Sequence, residues 1–163
     1  MSEPRNPGDL VENFTAQDQD GNSVSLAYFS KKPVVLFFYP RADTSGCTIE
    51  ACGFRDTFTQ LQKAGVVVLG ISRDTVKAQK KFAVKYDLTY PLLADPDEKI
   101  CDAFGVIKPK NMYGKLVKGI ERTTYLIAPA DASGQQHLLH VWPKVKPEGH
   151  AQEVLGFIEQ KKA

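Results

Sequence analysis

The chain alternates between runs that are apolar throughout and stretches that are apolar only at helical spacing. "PVVLFFY" (33–39) and "VVVLGIS" (66–72) are continuous β-branched and aromatic runs, the pattern of strands buried on both faces of a sheet. Between them, from about Cys47 to Lys63, Ala51, Phe54, Phe58 and Leu61 recur so as to share one face. Ala64-Gly65 closes that segment, which predicts a helix. A second helix is predicted over roughly 74–86, where Ala78, Phe82, Ala83 and Tyr86 form an apolar stripe opposite a lysine-rich face. Then come "YPLLAD", a short helix near Glu98–Phe104, the strands "RTTYLIA" (122–128) and "QHLLHVW" (136–142), and a last helix from Pro147 to Gln160. Upstream, "NFTAQDQDGNSVSLA" places Asp20-Gly21 between two short runs and predicts a small N-terminal hairpin. The order βαβα, then a β-hairpin and a helix, predicts a mixed α/β sheet with helices on both faces. "KPKNMYGKLVKG" (108–119) reads as the one long polar connection, and no internal repeat interrupts the pattern.

Composition narrows this picture. At 163 residues, with 42% hydrophobic and 25% charged, the chain is expected to form one globular domain over 1–163 with a proper core. Its 21 basic and 19 acidic side chains are scattered, with no basic block, so nucleic acid is not an expected partner. "MSEPRNPGDL" lacks the apolar core of a signal peptide, and the longest apolar run, Pro33 to Pro40, is too short to span a bilayer. A soluble, cytoplasmic protein is expected. Three cysteines are an odd number and too sparse for a disulfide scaffold, so any disulfide here is expected to be catalytic rather than structural.

The chemistry concentrates in "FYPRADTSGCTIEACGFRD" (38–56), where a buried strand runs through a short polar loop into a helix. Cys47 falls in the first turn of that helix, where backbone amides and the positive end of the dipole favour a thiolate. Thr44 can donate its hydroxyl to a sulfur or oxygen at the same spot, and Gly46 lets a substrate approach the backbone. A free cysteine is often just a small buried hydrophobe. The polar neighbours Asp43, Thr44, Ser45, Thr48 and Glu50 argue instead for a reactive Cys47. The role of Cys52 stays open. Five residues along a continuous helix put two Cα atoms about 8–9 Å apart, and a disulfide needs less than about 7 Å. Cys52 is therefore either a half-buried helical cysteine or a partner that Cys47 can reach only if the first turns unwind.

Pro40, Thr44 and Cys47 form the PxxxTxxC pattern of peroxiredoxins, and the string around them closely resembles the peroxiredoxin Q group, also called bacterioferritin comigratory proteins. "GVVVLGIS", "YPLLADPDEKICDAFGV", "GIERTTYLI" and "HVWPKVKPEGHAQEVL" are similar to that group as well, so the resemblance spans almost the whole chain. It implies a thioredoxin-like fold with an N-terminal β-hairpin extension. It also implies a peroxidase of hydrogen peroxide and organic hydroperoxides, acting in antioxidant defence without metal, haem or flavin and recycled by thioredoxin or glutaredoxin. A monomer is the implied state. By the same resemblance Cys47 is the peroxidatic cysteine, passing through a sulfenic acid. Thr44 orients the peroxide, Pro40 shields the sulfenate, and Arg122 completes the substrate site together with Gly46 and Thr44. Cys52 resembles the resolving cysteine that closes an intramolecular disulfide with Cys47, and Glu50 resembles a residue that orients Arg122. The group often reads Thr-Pro-Gly-Cys where this chain has Thr44-Ser45-Gly46-Cys47, and relatives with a resolving cysteine in the next helix have no counterpart over Thr75–Tyr86.

Other readings fit less well. Thioredoxin-type exchange uses CxxC at the head of the helix, and Thr44 occupies the first of those positions. An iron-sulfur site would need another cysteine near Arg55, and His137, His140 and His150 are too dispersed to suggest zinc. Cys101, on a short amphipathic helix, reads as a packing residue. The alternative to an enzyme is a peroxide sensor that passes its disulfide to a partner as a redox relay.

Overall fold

The computed structural model describes residues 5–162. At its centre are β4 (Val34–Phe38) and β5 (Val67–Ser72), the two continuous apolar runs, paired in parallel from Val34 opposite Val67 to Phe38 opposite Ile71. On the other side of β4 lies β9 (Thr123–Ile127), antiparallel, and beyond it β10 (Gln136–Trp142). β6 (Leu92–Ala94) continues the sheet from β5. The expected N-terminal hairpin forms as β2 (Thr15–Gln17) and β3 (Ser23–Ser25). It is joined to the main sheet by β2 pairing with β6, while β1 (Leu10–Val11) pairs with β10 at the opposite edge. The eight strands run β1-β10-β9-β4-β5-β6-β2-β3.

Successive side chains of a strand point to opposite faces, and β4 divides the core accordingly. Val35 and Phe37, with Tyr39 just beyond, pack with residues of α1 (Ser45–Lys63), α2 (Val76–Tyr86) and α4 (His150–Lys162). Val34, Leu36 and Phe38 pack on the other face with Ile100 and Cys101 of α3 (Lys99–Ala103), Phe104 and Tyr125. The helices therefore cover both faces, as the pattern predicts. α1 and α4 approach closely where a Cβ on Gly53 would stand 3.2 Å from that of Ala151.

Residues 108–119 differ from expectation. They are not a connection but a two-stranded antiparallel ribbon of β7 (Ile107–Met112) and β8 (Lys115–Ile120). The turn is Tyr113-Gly114, both with positive φ (53° and 79°), the two-residue hairpin geometry that fits strand twist. Lysines and Pro109 hide the strands from a pattern search, because they lack β propensity and the ribbon buries little of its surface. Tyr113 is 99% exposed.

Phe37 is the packing centre of the helical face. Its ring stacks on Phe54 of α1 with centroids 4.6 Å apart and meets Tyr90 edge-on. Gly70 on β5 makes room for it, since a Cβ there would come within 2.8 Å of the ring. Phe37→Ala should lower unfolding free energy by about 3–5 kcal/mol, the cost of emptying a buried aromatic site. Urea denaturation reads this directly, and a loss below about 1 kcal/mol would mean that Phe37 is not central to the core.

Candidate active site

The loop between β4 and α1 is fastened by polar bonds at its base. Tyr39 is fully buried, and its hydroxyl donates to Gln79 Oε1 at 2.5 Å. Gln79 Nε2 donates to Ser72 Oγ at 3.0 Å and to the Leu93 carbonyl at 2.8 Å. Ser72 donates to Asp74 Oδ2 at 2.6 Å, and the same oxygen accepts the Ala42 amide at 2.7 Å. This chain of buried, satisfied bonds ties the loop to β5, α2 and β6. Burial, the largest influence, pushes the Tyr39 phenol far above its ordinary range, so it remains a donor. At the loop tip Asp43 has φ +62° and binds Lys85 Nζ at 3.0 Å and the Tyr86 hydroxyl at 2.9 Å. Those partners, Lys85 first, hold its carboxyl below the usual range.

Thr44 is the N-cap of α1, with extended backbone angles. Its hydroxyl donates back to the Arg41 carbonyl at 2.8 Å, and its own carbonyl accepts both the amide and the hydroxyl of Thr48, at 2.8 and 2.7 Å. The hydroxyl expected to donate to a sulfur or oxygen at this spot here donates within the loop. Pro40, half-buried, follows the anchored Tyr39 at the start of this loop.

Cys47 is the third residue of α1 and 1% exposed. Arg122 meets it from the neighbouring strand. In the β4–β9 register Phe38 faces Thr123, so the next step places Arg122 beside Tyr39, at the sheet end where α1 begins. Its Nη1 donates to Cys47 Sγ at 3.5 Å and to Glu50 Oε1 at 2.9 Å. Gly46 is what admits the guanidinium, because a Cβ there would lie 2.9 Å from Arg122 Nη2 and 3.4 Å from Pro147. The loop after β10 closes the far side, with the Val145 amide donating to the Arg122 carbonyl at 2.9 Å.

The ionic balance is unusual for a buried site. Glu50 is fully buried and the Arg122 side chain is 14% exposed. Burial pushes the Glu50 carboxyl up to about 7, against the pull of Arg122. For Arg122 burial works against the charge, but Glu50 and Cys47 outweigh it and hold the guanidinium above its ordinary range. Behind them, on the same face of β9, Thr124 is bonded to Nε2 of His150 at 2.8 Å, and His150 Nδ1 reaches Glu153 at 2.9 Å. Burial pushes this imidazole down, which keeps it neutral.

The three cysteines are all free thiols. Cys52 is half-buried on the same unbroken helix as Cys47, so the two Cα atoms are held about 8–9 Å apart. Burial raises its thiol, with Arg55 acting the other way. Cys101 is fully buried on the opposite face of the sheet, and burial pushes its thiol far up. The structure thus gathers Cys47, Gly46, Glu50 and Arg122 at one point, with Thr44 and Pro40 in the loop beside them. Sequence analysis missed Tyr39, Gln79, Ser72 and Asp74. The available signal was Gln79 itself, which stands at i−3 from Phe82 on the buried stripe of α2.

Residues 7–132 match the AhpC/TSA family. The chain is 53% identical over 143 residues to a putative peroxiredoxin bcp of Coxiella burnetii, covering 88% of this chain and 91% of the relative. It is 41% identical over 157 residues to peroxiredoxin Bcp of Escherichia coli, covering 96% and 97%. Among solved structures, a cysteine-to-serine variant of a peroxiredoxin Q from Xylella fastidiosa superposes with TM-score 0.90 at 34% identity over the whole of both chains. A bacterioferritin comigratory protein of Xanthomonas campestris, solved for insight into its alkyl peroxide reduction activity, superposes with TM-score 0.84 at 39% identity over 92% of each. The sheet order, the cysteine at the head of α1 and these likenesses agree: the chain belongs to the AhpC/TSA family, in its peroxiredoxin Q or bacterioferritin comigratory group, and has its thioredoxin-like fold.

Proposed function

We propose that this protein is a thiol-dependent peroxidase that reduces hydrogen peroxide and alkyl hydroperoxides through Cys47, with Cys52 as the resolving thiol. The observation that carries this reading is the Arg122 guanidinium, donating at once to Cys47 Sγ and Glu50 from a largely buried position. The Cys47 thiolate attacks the terminal peroxide oxygen. An S–O bond forms, the O–O bond breaks, and the alkoxide leaves with a proton as alcohol. Arg122 stabilises the charge that moves from sulfur to the leaving oxygen. Pro40 and the loop shield the sulfenic acid, and Gly46 and Thr44 border the substrate. The Cys52 sulfur then attacks the sulfenic sulfur, water departs, and a disulfide results. An external dithiol of the thioredoxin or glutaredoxin class restores both cysteines. No helix among the described residues is long and apolar enough to cross a membrane, which suits a protein acting in the cytoplasm.

Resolution requires α1 to unwind through its first two turns, since the helical separation exceeds disulfide reach. The bonds to be broken are polar: Thr48 to Thr44, Arg122 to Glu50 and Cys47, and the Tyr90 hydroxyl to the Ala51 carbonyl at 2.6 Å. Downstream, Phe54 and Leu61 hold the rest of the helix in the core. After one equivalent of hydrogen peroxide, peptide mass mapping should find a Cys47–Cys52 disulfide, and amide exchange over 46–55 should accelerate sharply. Unchanged protection in the disulfide form would refute helix opening.

Two further outcomes follow from the geometry. Gly46→Ala should push Arg122 aside and slow peroxide oxidation of Cys47 by about 10²-fold, the effect of a misplacement near 1 Å. Gly156→Ala, at an open position on α4, should leave the rate unchanged. Stopped-flow measurement of both rates checks the assignment, and equal rates would remove Arg122 from the reaction. The opening of α1 should also depend on pH. Glu50 titrates near 7 when buried and near 4.5 when exposed, so the closed helix holds more protons between those values. Closure is therefore strongest below about pH 4.5, weakens as pH rises to about 7 and is level above it. Exchange protection of residues 47–52 in the reduced protein, corrected for intrinsic rates, should follow that curve, and the fall between about pH 4.5 and 7 should be absent in Glu50→Gln.

A further inference from the structure

Glu50 is fully buried, and only one of its carboxyl oxygens is bonded. Oε1 accepts from Arg122 Nη1 at 2.9 Å, while Oε2 has no hydrogen-bond partner among the described residues. The same Nη1 donates to Cys47 Sγ at 3.5 Å. Two acids three residues apart on one helix thus converge on a single nitrogen of a single cation.

Among the described residues, no second positive charge is bonded to either acid. Among the described residues Arg122, just before β9, is the cation that acts on the Glu50 carboxyl. Tyr90, from the segment before β6, is turned to the Ala51 carbonyl, and burial pushes its phenol well above the ordinary range. His150 of α4 is turned to Thr124 and Glu153, and burial pushes it toward the neutral form. One buried cation compensates one buried anion, and a second anion in the same pocket would be left unpaired.

We propose that Glu50 and Cys47 share one negative charge against Arg122, so that Glu50 is the protonated partner while Cys47 is the thiolate and ionises once Cys47 has lost its charge. Glu50 is thereby a positioning residue that acts through Arg122, and the proposal rests on Cys47 being the nucleophile. The reaction closes without solvent protons. Cys47 thiolate, Cys52 thiol, Glu50 carboxylic acid and hydroperoxide become the disulfide, alcohol, water and Glu50 carboxylate. Two electrons pass from the sulfurs to the O–O bond. The peroxide hydrogen and the thiol hydrogen leave as water, and the proton given up by Glu50 balances the one taken up by the alkoxide. The upward push of burial on this carboxyl agrees with a group kept protonated in the reduced protein.

The test uses the reduced protein without peroxide, so it stands apart from turnover. Thiolate absorbance at 240 nm is titrated in wild type and in Glu50→Gln, with Cys47→Ser subtracted to isolate Cys47. Gln keeps an acceptor for Nη1, so orientation of Arg122 is retained while the competing charge is removed. The thiolate should form at lower pH, with an ionisation constant roughly tenfold larger or more, as expected for strongly coupled sites. Reciprocally, the infrared band of the Glu50 carboxylic acid should disappear at lower pH in Cys47→Ser than in wild type, by the same factor. A Glu50 that serves only to orient Arg122 gives an unchanged titration in Glu50→Gln, and either that result or a shift to higher pH overturns the proposal. Loss of peroxide consumption with the two titrations still coupled would remove the peroxidase reading alone.

Discussion

Everything at the head of α1 depends on holding a guanidinium in a place where water barely reaches it. A cation there must find acceptors or be expelled, and the fold supplies two from one face of a helical turn, the Cys47 sulfur and the Glu50 carboxyl. The other contributions make that meeting geometric rather than accidental. The antiparallel register of β4 and β9 brings Arg122 to the sheet end. Gly46 leaves the space its Nη2 occupies, and Val145 anchors its backbone from the opposite side. Sulfur and cation thus come from chain segments 75 residues apart, yet each is placed by an element that is itself fixed by the sheet or packed on it.

The same design sets stability against motion. The core of α1 is secured from Phe54 onward by aromatic packing under β4, whereas its first turns are secured mainly by hydrogen bonds and one ion pair. Local openings draw on the least apolar parts of a structure. Unwinding from Thr44 to Cys52 would release mainly polar groups, with the small side chains of Cys47 and Ala51, and would leave the Phe37–Phe54 stack in place. The bonds from Tyr39 through Gln79 to Asp74 lie outside the first turns of α1, so they hold the base of the loop independently of that helix end.

Much of this was readable from sequence because burial leaves a period. The two all-apolar strands, the stripe of Ala51, Phe54 and Leu61, and the Asp20-Gly21 hairpin were each specified by local pattern and appear where expected. Cys47 stood out as a candidate because small polar residues precede a helix start, and Arg122 only through likeness to a family, since a lone arginine before a strand carries no local signal of what it will meet. What escaped notice has physical causes. Between the buried ends Ile107 and Ile120, β8 exposes Lys115–Lys118 and β7 buries neither Lys108 nor Lys110 fully, so no buried face imposed alternation on the lysines. Gln79 hid within an apolar stripe because its partners come from three other elements. The Thr44 hydroxyl turned to Arg41, a choice between neighbouring acceptors that spacing does not encode.

The placement of the third cysteine has a consequence of its own. Cys47 and Cys52 lie on the side of the sheet covered by α1, and Cys101 lies beneath α3 on the other. Thiol exchange needs three sulfurs in line, and a packed sheet of eight strands is a wall that such an arrangement does not cross. Of the three pairings that three cysteines permit, the architecture insulates two. A spare thiol can therefore sit in the core of this fold out of line with the two sulfurs of α1.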